Sequence, residues 1–486
     1  MANKIIHLWD NSWHIPSPND DLQDSFGRKP HDLKYCNSSS KINAEDLRAL
    51  SSSTIGELMA DEECEVLVWP NSFNEGYDEL KDQYIFRITE KDGKTIDSVT
   101  TNNVVGFIGK SNTDIRIHSR FASSNDNDFF LYYMLEKVMA INTFSLSSAG
   151  KEPEVFDFLL FFFPRLLKDA LSQGMYKKYV YHEYNDANIR GVVDVNRHIR
   201  LNIPANGKIA YRTREFSYDN SVTQLIRHTI EFIRRKQFGK AVLHNDPDTE
   251  GCVQQIIQAT PTFQPQQRQA IINENLRPVI HPYYTKYAAL QNLCLRILRY
   301  EKLSYGNDSN NKIHGLLIDA AWLWEEYIGQ VLSENTDIKH YTRKNSHYHL
   351  FKDKDGAFQK IIPDYYDGDK IVADAKYIPL NRSRDLDADR AAPIYYKTIM
   401  YMYRFNTKNG FLFHPIRQNE SEGKSVLSET YEIDGRPDCS LTKIGLVVDE
   451  ESKNYSEFRE EMERREIDFQ HTVVSKDHLK KSYPVF

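Results

Sequence analysis

The spacing of apolar and polar positions changes character twice along the chain. Up to about residue 125, apolar residues come in short runs of strand composition, Cys64 to Trp69, Gln83 to Thr89 and Val104 to His118. Polar, turn-rich stretches such as Asn11 to Ser53 lie among them. From about 126 to 305 the apolar spacing is three and four, which predicts helices over Phe129 to Ile141, Val155 to Leu171 and Ser221 to Lys236. Beyond 306, helix and strand patterns alternate. His314 to Leu332 predicts a helix apolar on most of its circumference, the exceptions being Asp319, Glu325, Glu326 and Gln330. A strand at Ile338 to Phe351, a hairpin, a helix from Asp387 to Phe405, the strand GFLFHP and strands near Ser428 to Ile433 and Thr442 to Val448 complete the series. The expected fold is multidomain α+β: a β-rich N-terminal domain over 1–125, a mostly helical middle domain over 126–305, and a third domain over 306–486 built on a mixed sheet flanked by helices.

The hairpin carries the chemistry. Lys360 to Tyr366 and Lys370 to Ile378 have strand character and flank Asp367-Gly368-Asp369, where glycine supplies the positive φ of a tight turn. Side chains alternate along a strand, so Asp374 and Lys376 share a face. Asp364 lies on the partner strand. It falls opposite Ala373 if Gly368-Asp369 is the two-residue turn, and further from Asp374 if Asp367-Gly368 is; the residues admit both registers. Either way two carboxylates and an ammonium gather at one end of a hairpin. Hard cations such as Mg²⁺ take one or two carboxylates and keep several waters, and a neighbouring lysine orients such a water or offsets charge on a phosphate. That combination points to metal-assisted phosphodiester hydrolysis.

Composition narrows the setting. The chain has 486 residues, 40% hydrophobic and 27% charged, with an aromatic content of 12%. A net charge of −7 gives no overall basic field, so contact with nucleic acid has to be local. One segment supplies it: Ala187 to Lys240 holds eleven Lys/Arg against four Asp/Glu, and Arg190, Arg197, Arg200, Arg212 and Arg214 are the candidate phosphate contacts. The five cysteines form no CxxC pair or zinc spacing, which suits a reducing, cytoplasmic setting. No stretch reads as a signal peptide or a membrane span; the most apolar run, Phe156 to Leu167, is interrupted by Asp157, Pro164 and Arg165. Gly109-Lys110-Ser111 ends like a phosphate-binding loop, but position 104 is valine where that loop needs glycine. A hairpin turn is expected there, and no nucleotide site in this chain alone.

Pro363, Asp364, Asp374, Ala375 and Lys376 resemble the PD-(D/E)xK nuclease signature, in the form PD followed by DAK. The order of helix, three strands, helix and strand is similar to the core of those nucleases. There the first helix adds an acidic residue to the metal site, which here matches Glu325, with Glu326 beside it. A closer resemblance, from about Val104 to His414, is to the McrC family, the nuclease subunit of McrBC-type modification-dependent restriction systems. VVGFIGKSNTDIRIHSRF, LLKDALSQGMYKKYVYHEYNDANIRGVVDV, LWEEYI, PD…DAK and IYYKTIMYMYRF carry it in order. His118-Ser119-Arg120 stand where the family has a proline and a lysine, and Lys397 takes the place of a glutamine on the helix after the hairpin. The resemblance implies an endonuclease in which Asp364, Asp374, Glu325 and the carbonyl of Ala375 hold Mg²⁺ or Mn²⁺, Lys376 is catalytic and Lys397 points into the site. It also implies an AAA+ McrB-like GTPase partner, on which the N-terminal half docks, and double-stranded, modified DNA as substrate.

Overall fold

The computed structural model describes residues 4–16, 31–33, 35–36, 44–61, 64–70, 80–91, 95–110, 113–122, 128–139, 157–236, 239–244, 246–305, 313–336, 338–341, 348–368, 370–378, 380 and 388–476. Asp369 of the expected turn and Asp387, the expected start of a helix, lie outside them. The chain is mixed α and β and forms two compact units, residues 1–155 together with 309–486, and residues 156–308. This differs from the three consecutive stretches expected from the sequence, because the first and last of them share one unit.

One strand crosses between them. In the N-terminal six-stranded sheet the order is Tyr35–Cys36, Lys4–Trp9, Thr113–His118, Val104–Lys110, Ile313–Asp319 and Glu65–Trp69. Ile313–Asp319 lies antiparallel to Val104–Lys110 and parallel to Glu65–Trp69, so a strand from beyond residue 306 joins two strands from the first 125. Leu317 is buried in the same core as Leu8, Val68, Ile108 and Ile115. The backbones of this pair approach closely at two glycines. A Cβ on Gly106, whose φ is +129°, would lie 2.1 Å from the Leu316 carbonyl oxygen, and one on Gly315 would lie 2.5 Å from that of Phe107. Val104–Lys110 also pairs with Thr113–His118, so the expected hairpin forms.

The helix expected over His314 to Leu332 is therefore a strand followed by a helix. A run apolar on most of its circumference suits a fully buried strand as well as a buried helix. The helix proper is Ala320–Asn335, and Asp319 caps it by accepting from the backbone N–H groups of Ala321 and Trp322.

The second large sheet of this unit is mixed, in the order Lys339–His340, Tyr365–Asp367, Ile371–Ala375, Asn409–Ile416, Arg436–Val447 and Val426–Ile433. Ile371–Ala375, Asn409–Ile416 and Arg436–Val447 run parallel, Tyr365–Asp367 and Val426–Ile433 flank them antiparallel, and Lys339–His340 at the edge is antiparallel to Tyr365–Asp367. Helices cover both faces. Leu412 packs with Ile394 and Tyr395 of the helix Ala388–Phe405. On the other face Phe413 meets Phe469 of the helix Tyr455–Lys476 at 5.3 Å, and its carbonyl accepts from Trp324 Nε1. A buried polar cluster ties that side together: Tyr327 OH donates to Glu466 at 2.7 Å, and Glu466 pairs with Lys137 at 3.0 Å.

The unit over 156–308 is largely helical, with Asp157–Leu171, Ser221–Arg234, Pro247–Ala259 and Tyr287–Tyr305 as its longer helices. The basic segment departs from the helical expectation. Lys178–Asp186 and Ile209–Ser217 pair antiparallel, Val192–Val193 adds a third strand, and the short helix Val195–Asn202 lies between the last two in sequence.

Candidate active site

The hairpin register follows neither two-residue turn. Tyr365 pairs with Ala373, Tyr366 with Val372 and Asp367 with Ile371, leaving a three-residue loop in which Gly368 has φ +59°. Continuing that register by one residue sets Asp364 directly across from Asp374. Residues opposite each other in an antiparallel pair share a face. The two carboxylates therefore converge. Asp374 is fully buried and Asp364 nearly so. One Asp364 oxygen accepts from the Ala375 N–H at 2.7 Å, and the Asp364 carbonyl accepts from the Tyr341 N–H at 2.9 Å.

Two lysines meet Asp374. Lys376 Nζ is ion-paired with one carboxylate oxygen, and Lys397 Nζ lies 3.4 Å from the other. Lys397 reaches in from the helix Ala388–Phe405, on the face that carries Val372 and Asp374. Burial acts to raise the Asp374 pKa, but Lys376 and Lys397 outweigh it and hold the carboxyl below its ordinary range. At Asp364, burial and then the facing charges of Asp374 and Glu325 push the pKa well above that range, against the pull of the same lysines. Both ammonium groups are raised: burial opposes their charge, and Asp374 more than restores it.

Glu325, on the helix Ala320–Asn335, is turned towards a residue the sequence did not single out. His340 Nε2 lies 3.1 Å from Glu325 Oε1, and its Nδ1 lies 3.8 Å from Glu326 Oε2. His340 is on a two-residue strand paired with Tyr365, whose OH donates to the Glu325 carbonyl at 2.5 Å. Gly329 makes room for the ring; a Cβ there would lie 3.0 Å from His340 Nδ1. Desolvation works against the imidazolium, yet Glu325 and Glu326 raise the His340 pKa overall. A strand this short leaves no periodicity in the sequence to mark it.

The donor set suits a hard divalent cation in one respect. Two oxygen ligands converge at low dielectric, and the repulsion that raises Asp364 is what a cation between them would relieve. It does not suit a closed cage. Among the described residues no group of three or more His, Cys, Asp and Glu side chains is placed to hold a metal ion. Glu325 is engaged by His340, and the Ala375 carbonyl accepts from Lys376 Nζ at 3.1 Å. The fit is to an ion that keeps most of its waters, as Mg²⁺ does.

The five arginines of the basic segment divide. Arg200, Arg212 and Arg214 are exposed, and so is Arg190, which donates from Nε to Tyr211 OH at 3.0 Å. Arg212 and Arg214 share a face of their strand, and Arg214 lies over the Tyr179 ring at 4.4 Å. Arg197 is mostly covered and pairs with Glu183 at 3.4 Å. Tyr179, Tyr181, Val192, Ile199 and Phe216 are exposed on the same sheet or its short helix.

The model of the family described as McrBC 5-methylcytosine restriction system component matches residues 99–415, more than half of the chain. The chain belongs to this family. The matched stretch includes both glycines of the close strand pair, the basic segment, Glu325, the hairpin and Lys397. Among curated proteins none matches. One similar solved structure is a refined half-complex from the tetradecameric assembly of Thermococcus gammatolerans McrB AAA+ hexamers with bound McrC. The identity is 15%, the TM-score 0.48, and the match covers 97% of this chain and 100% of that one. Another, the McrBC complex of the same organism, gives 14% identity and a TM-score of 0.32 over 68% of this chain and 88% of that one. Among the described residues no helix is long and apolar enough to cross a membrane.

Proposed function

We propose that this McrBC-family chain is the endonuclease subunit of its restriction complex, cleaving DNA by metal-dependent phosphodiester hydrolysis at the PD-(D/E)xK-like hairpin. The observation that carries the reading is the register that sets Asp364 across from Asp374, with Lys376 and Lys397 on the second carboxylate. Asp364 and Asp374 would hold Mg²⁺ or Mn²⁺, with Glu325 close enough to act on Asp364 electrostatically. When bound, the cation supplies a Lewis acid and an acidified water. Lys376 orients the attacking water. Together with Lys397 it places two ammonium groups where the negative charge of a phosphate builds up.

As a component of a McrBC system the chain acts with an AAA+ McrB-like GTPase, stimulates its GTP hydrolysis and receives double-stranded, methylated DNA from it. The exposed arginines of the sheet Lys178–Asp186 and Ile209–Ser217 suit phosphates. The exposed aromatic and aliphatic residues between them suit a protein surface.

One observation favours a second reading, a non-catalytic assembly and GTPase-activating subunit: Asp374 is already neutralised by two lysines, with no three-ligand cage among the described residues. Cleavage of methylated plasmid with Mg²⁺, with and without the AAA+ protein and GTP, separates the two. The nuclease reading expects cutting by the complete complex and none by Asp374→Asn. Faster GTP hydrolysis without cutting under any condition overturns it.

A further inference from the structure

Lys376 stands just outside the strand that presents it. Ile371–Ala375 ends one residue earlier, and beyond it the Lys376 backbone N–H has a single partner, the Phe413 carbonyl at 2.8 Å. What holds the chain there is the next residue. Tyr377 is 2% exposed, and its ring is boxed by groups distant in sequence. The Arg120 guanidinium lies over it at 4.0 Å, Phe121 meets it edge-on at 6.1 Å and Trp324 flanks it at 6.4 Å. Ser119 Oγ is 3.4 Å from the Tyr377 hydroxyl.

Arg120 is itself fixed on several sides. Its backbone N–H donates to Asp10 Oδ1 at 2.5 Å, its Nη1 lies 3.3 Å from Asp10 Oδ2, and its carbonyl accepts from Arg417. Asp10 is fully buried, and Arg120 nearly so. Burying such a pair costs more than an apolar pair of the same shape, and the cost shows at Asp10, whose pKa burial raises to about 6 despite the guanidinium. A cation kept dry against an aromatic face is stronger than one in water. Nη2 of Arg120 is buried without a hydrogen-bond partner, so the guanidinium sits against the ring at the expense of one donor.

We propose that Arg120, fixed by Asp10, is a positioning residue that pins Tyr377 and through it sets Lys376 against Asp374. The proposal rests on the nuclease reading for its catalytic consequence and stands apart from it in its structural one. It gives the stretch ending in His118-Ser119-Arg120 a task in a site far along the chain, Ser119 and Tyr377 being 258 residues apart. It also makes the N-terminal sheet, which supplies Asp10 and Arg120 from the ends of two neighbouring strands, part of what makes the hairpin competent.

The test uses the full chain and two readouts. The first is amine acetylation of Lys376 followed by mass spectrometry, with exposed Lys408 as internal reference and without DNA or partner. Arg120→Met and Tyr377→Leu are expected to raise Lys376 labelling several-fold, and Tyr377→Phe, which keeps the ring, to recover most of the protection. The second is cleavage by the complete complex. A misplacement on the order of 1 Å costs ~10²-fold, so kcat is expected to fall by about that factor in Arg120→Met and Tyr377→Leu with KM for DNA unchanged, and to be largely rescued in Tyr377→Phe. Unchanged labelling and kcat in Arg120→Met overturn the proposal. So does equal damage from Tyr377→Phe and Tyr377→Leu, which does not depend on Arg120→Met folding. If the wild-type complex does not cut, the nuclease reading fails, and the labelling result alone decides whether Arg120 positions Lys376.

Discussion

Lys397 reaches Asp374 from the covering helix at 3.4 Å, on the carboxylate oxygen that Lys376 leaves open. The two lysines are not equivalent. Lys376 rides on the same chain segment as Asp374, whereas Lys397 comes from a helix 23 residues on and is more exposed. A neutral hydrogen-bond donor of similar length would keep the contact without the charge. Lys397→Gln is therefore expected to cut within about tenfold of wild type, and Lys397→Met to lose ~10²-fold, the usual scale for removing one preorganised donor from a reacting site. Single-turnover cleavage rates check both.

A pH prediction follows from His340. Its folded pKa is raised above the ordinary 6.5 because Glu325 and Glu326 favour the imidazolium more than desolvation disfavours it. The stability this contributes is fully present below about pH 6.5 and is lost as the pH rises through the folded value. Urea unfolding at about pH 5.5 and about pH 8.5 measures it. His340→Asn is expected to be destabilised relative to wild type at the lower pH and to close most of that gap at the higher one.

How much of this was legible in the sequence differs from element to element. The hairpin and its acids could be found because their chemistry is local: a glycine turn, alternating faces, and Asp364, Asp374 and Lys376 within thirteen positions. The register could not, because a three-residue loop and a two-residue turn use the same residues, and one step of register decides whether Asp364 faces Ala373 or Asp374. Ile313–Asp319 was hidden because its short apolar run continues into the apolar helix without a change of period, and only Asp319, accepting from two backbone N–H groups, marks where the helix starts. The sheet in the basic segment was hidden for another reason. One face is exposed yet carries Tyr179, Tyr181 and Phe216, and the other is half covered yet carries His182, Asp186 and Thr213, so apolar and polar residues do not alternate with burial. The clamp of Arg120 on Tyr377 is a contact between distant segments, and no short-range pattern encodes it.

The close strand pair makes a stability prediction. Gly106→Ala would drive a Cβ to within 2.1 Å of the Leu316 carbonyl oxygen and force an L-residue to φ +129°. A loss of about 4 kcal/mol or more is expected, at the severe end for a single substitution. Gly251, in the helix Pro247–Ala259, has open space for 4 Å around the position a Cβ would take. Gly251→Ala is expected to gain up to ~1 kcal/mol from helix propensity. Chemical denaturation of the two variants checks the contrast.

The arginines of the basic sheet make a salt-dependence prediction. Each phosphate contact contributes about 0.9 to the slope of log affinity against log salt, so Arg212→Ala with Arg214→Ala is expected to reduce the slope by about 2 if both meet the DNA backbone. Arg197→Ala, which removes the partner of Glu183, is expected to leave the slope unchanged. Binding titrations with duplex DNA at several salt concentrations measure both. An unchanged slope in the double variant would assign that face to protein contact.

The strand Ile313–Asp319 also sets a timetable for the ribosome. Glu65–Trp69 has no partner among the described strands except that one, and Val104–Lys110 waits for it on one side. About 200 residues separate Val104–Lys110 from its late neighbour, which at roughly 5–20 residues per second leaves those edges open for on the order of 10–40 s of synthesis. Open strand edges are where nascent chains pair with the wrong partner. The charge of Lys110, at the end of one of these strands, therefore bears on yield during translation, an effect that the stability of the finished molecule would not reveal.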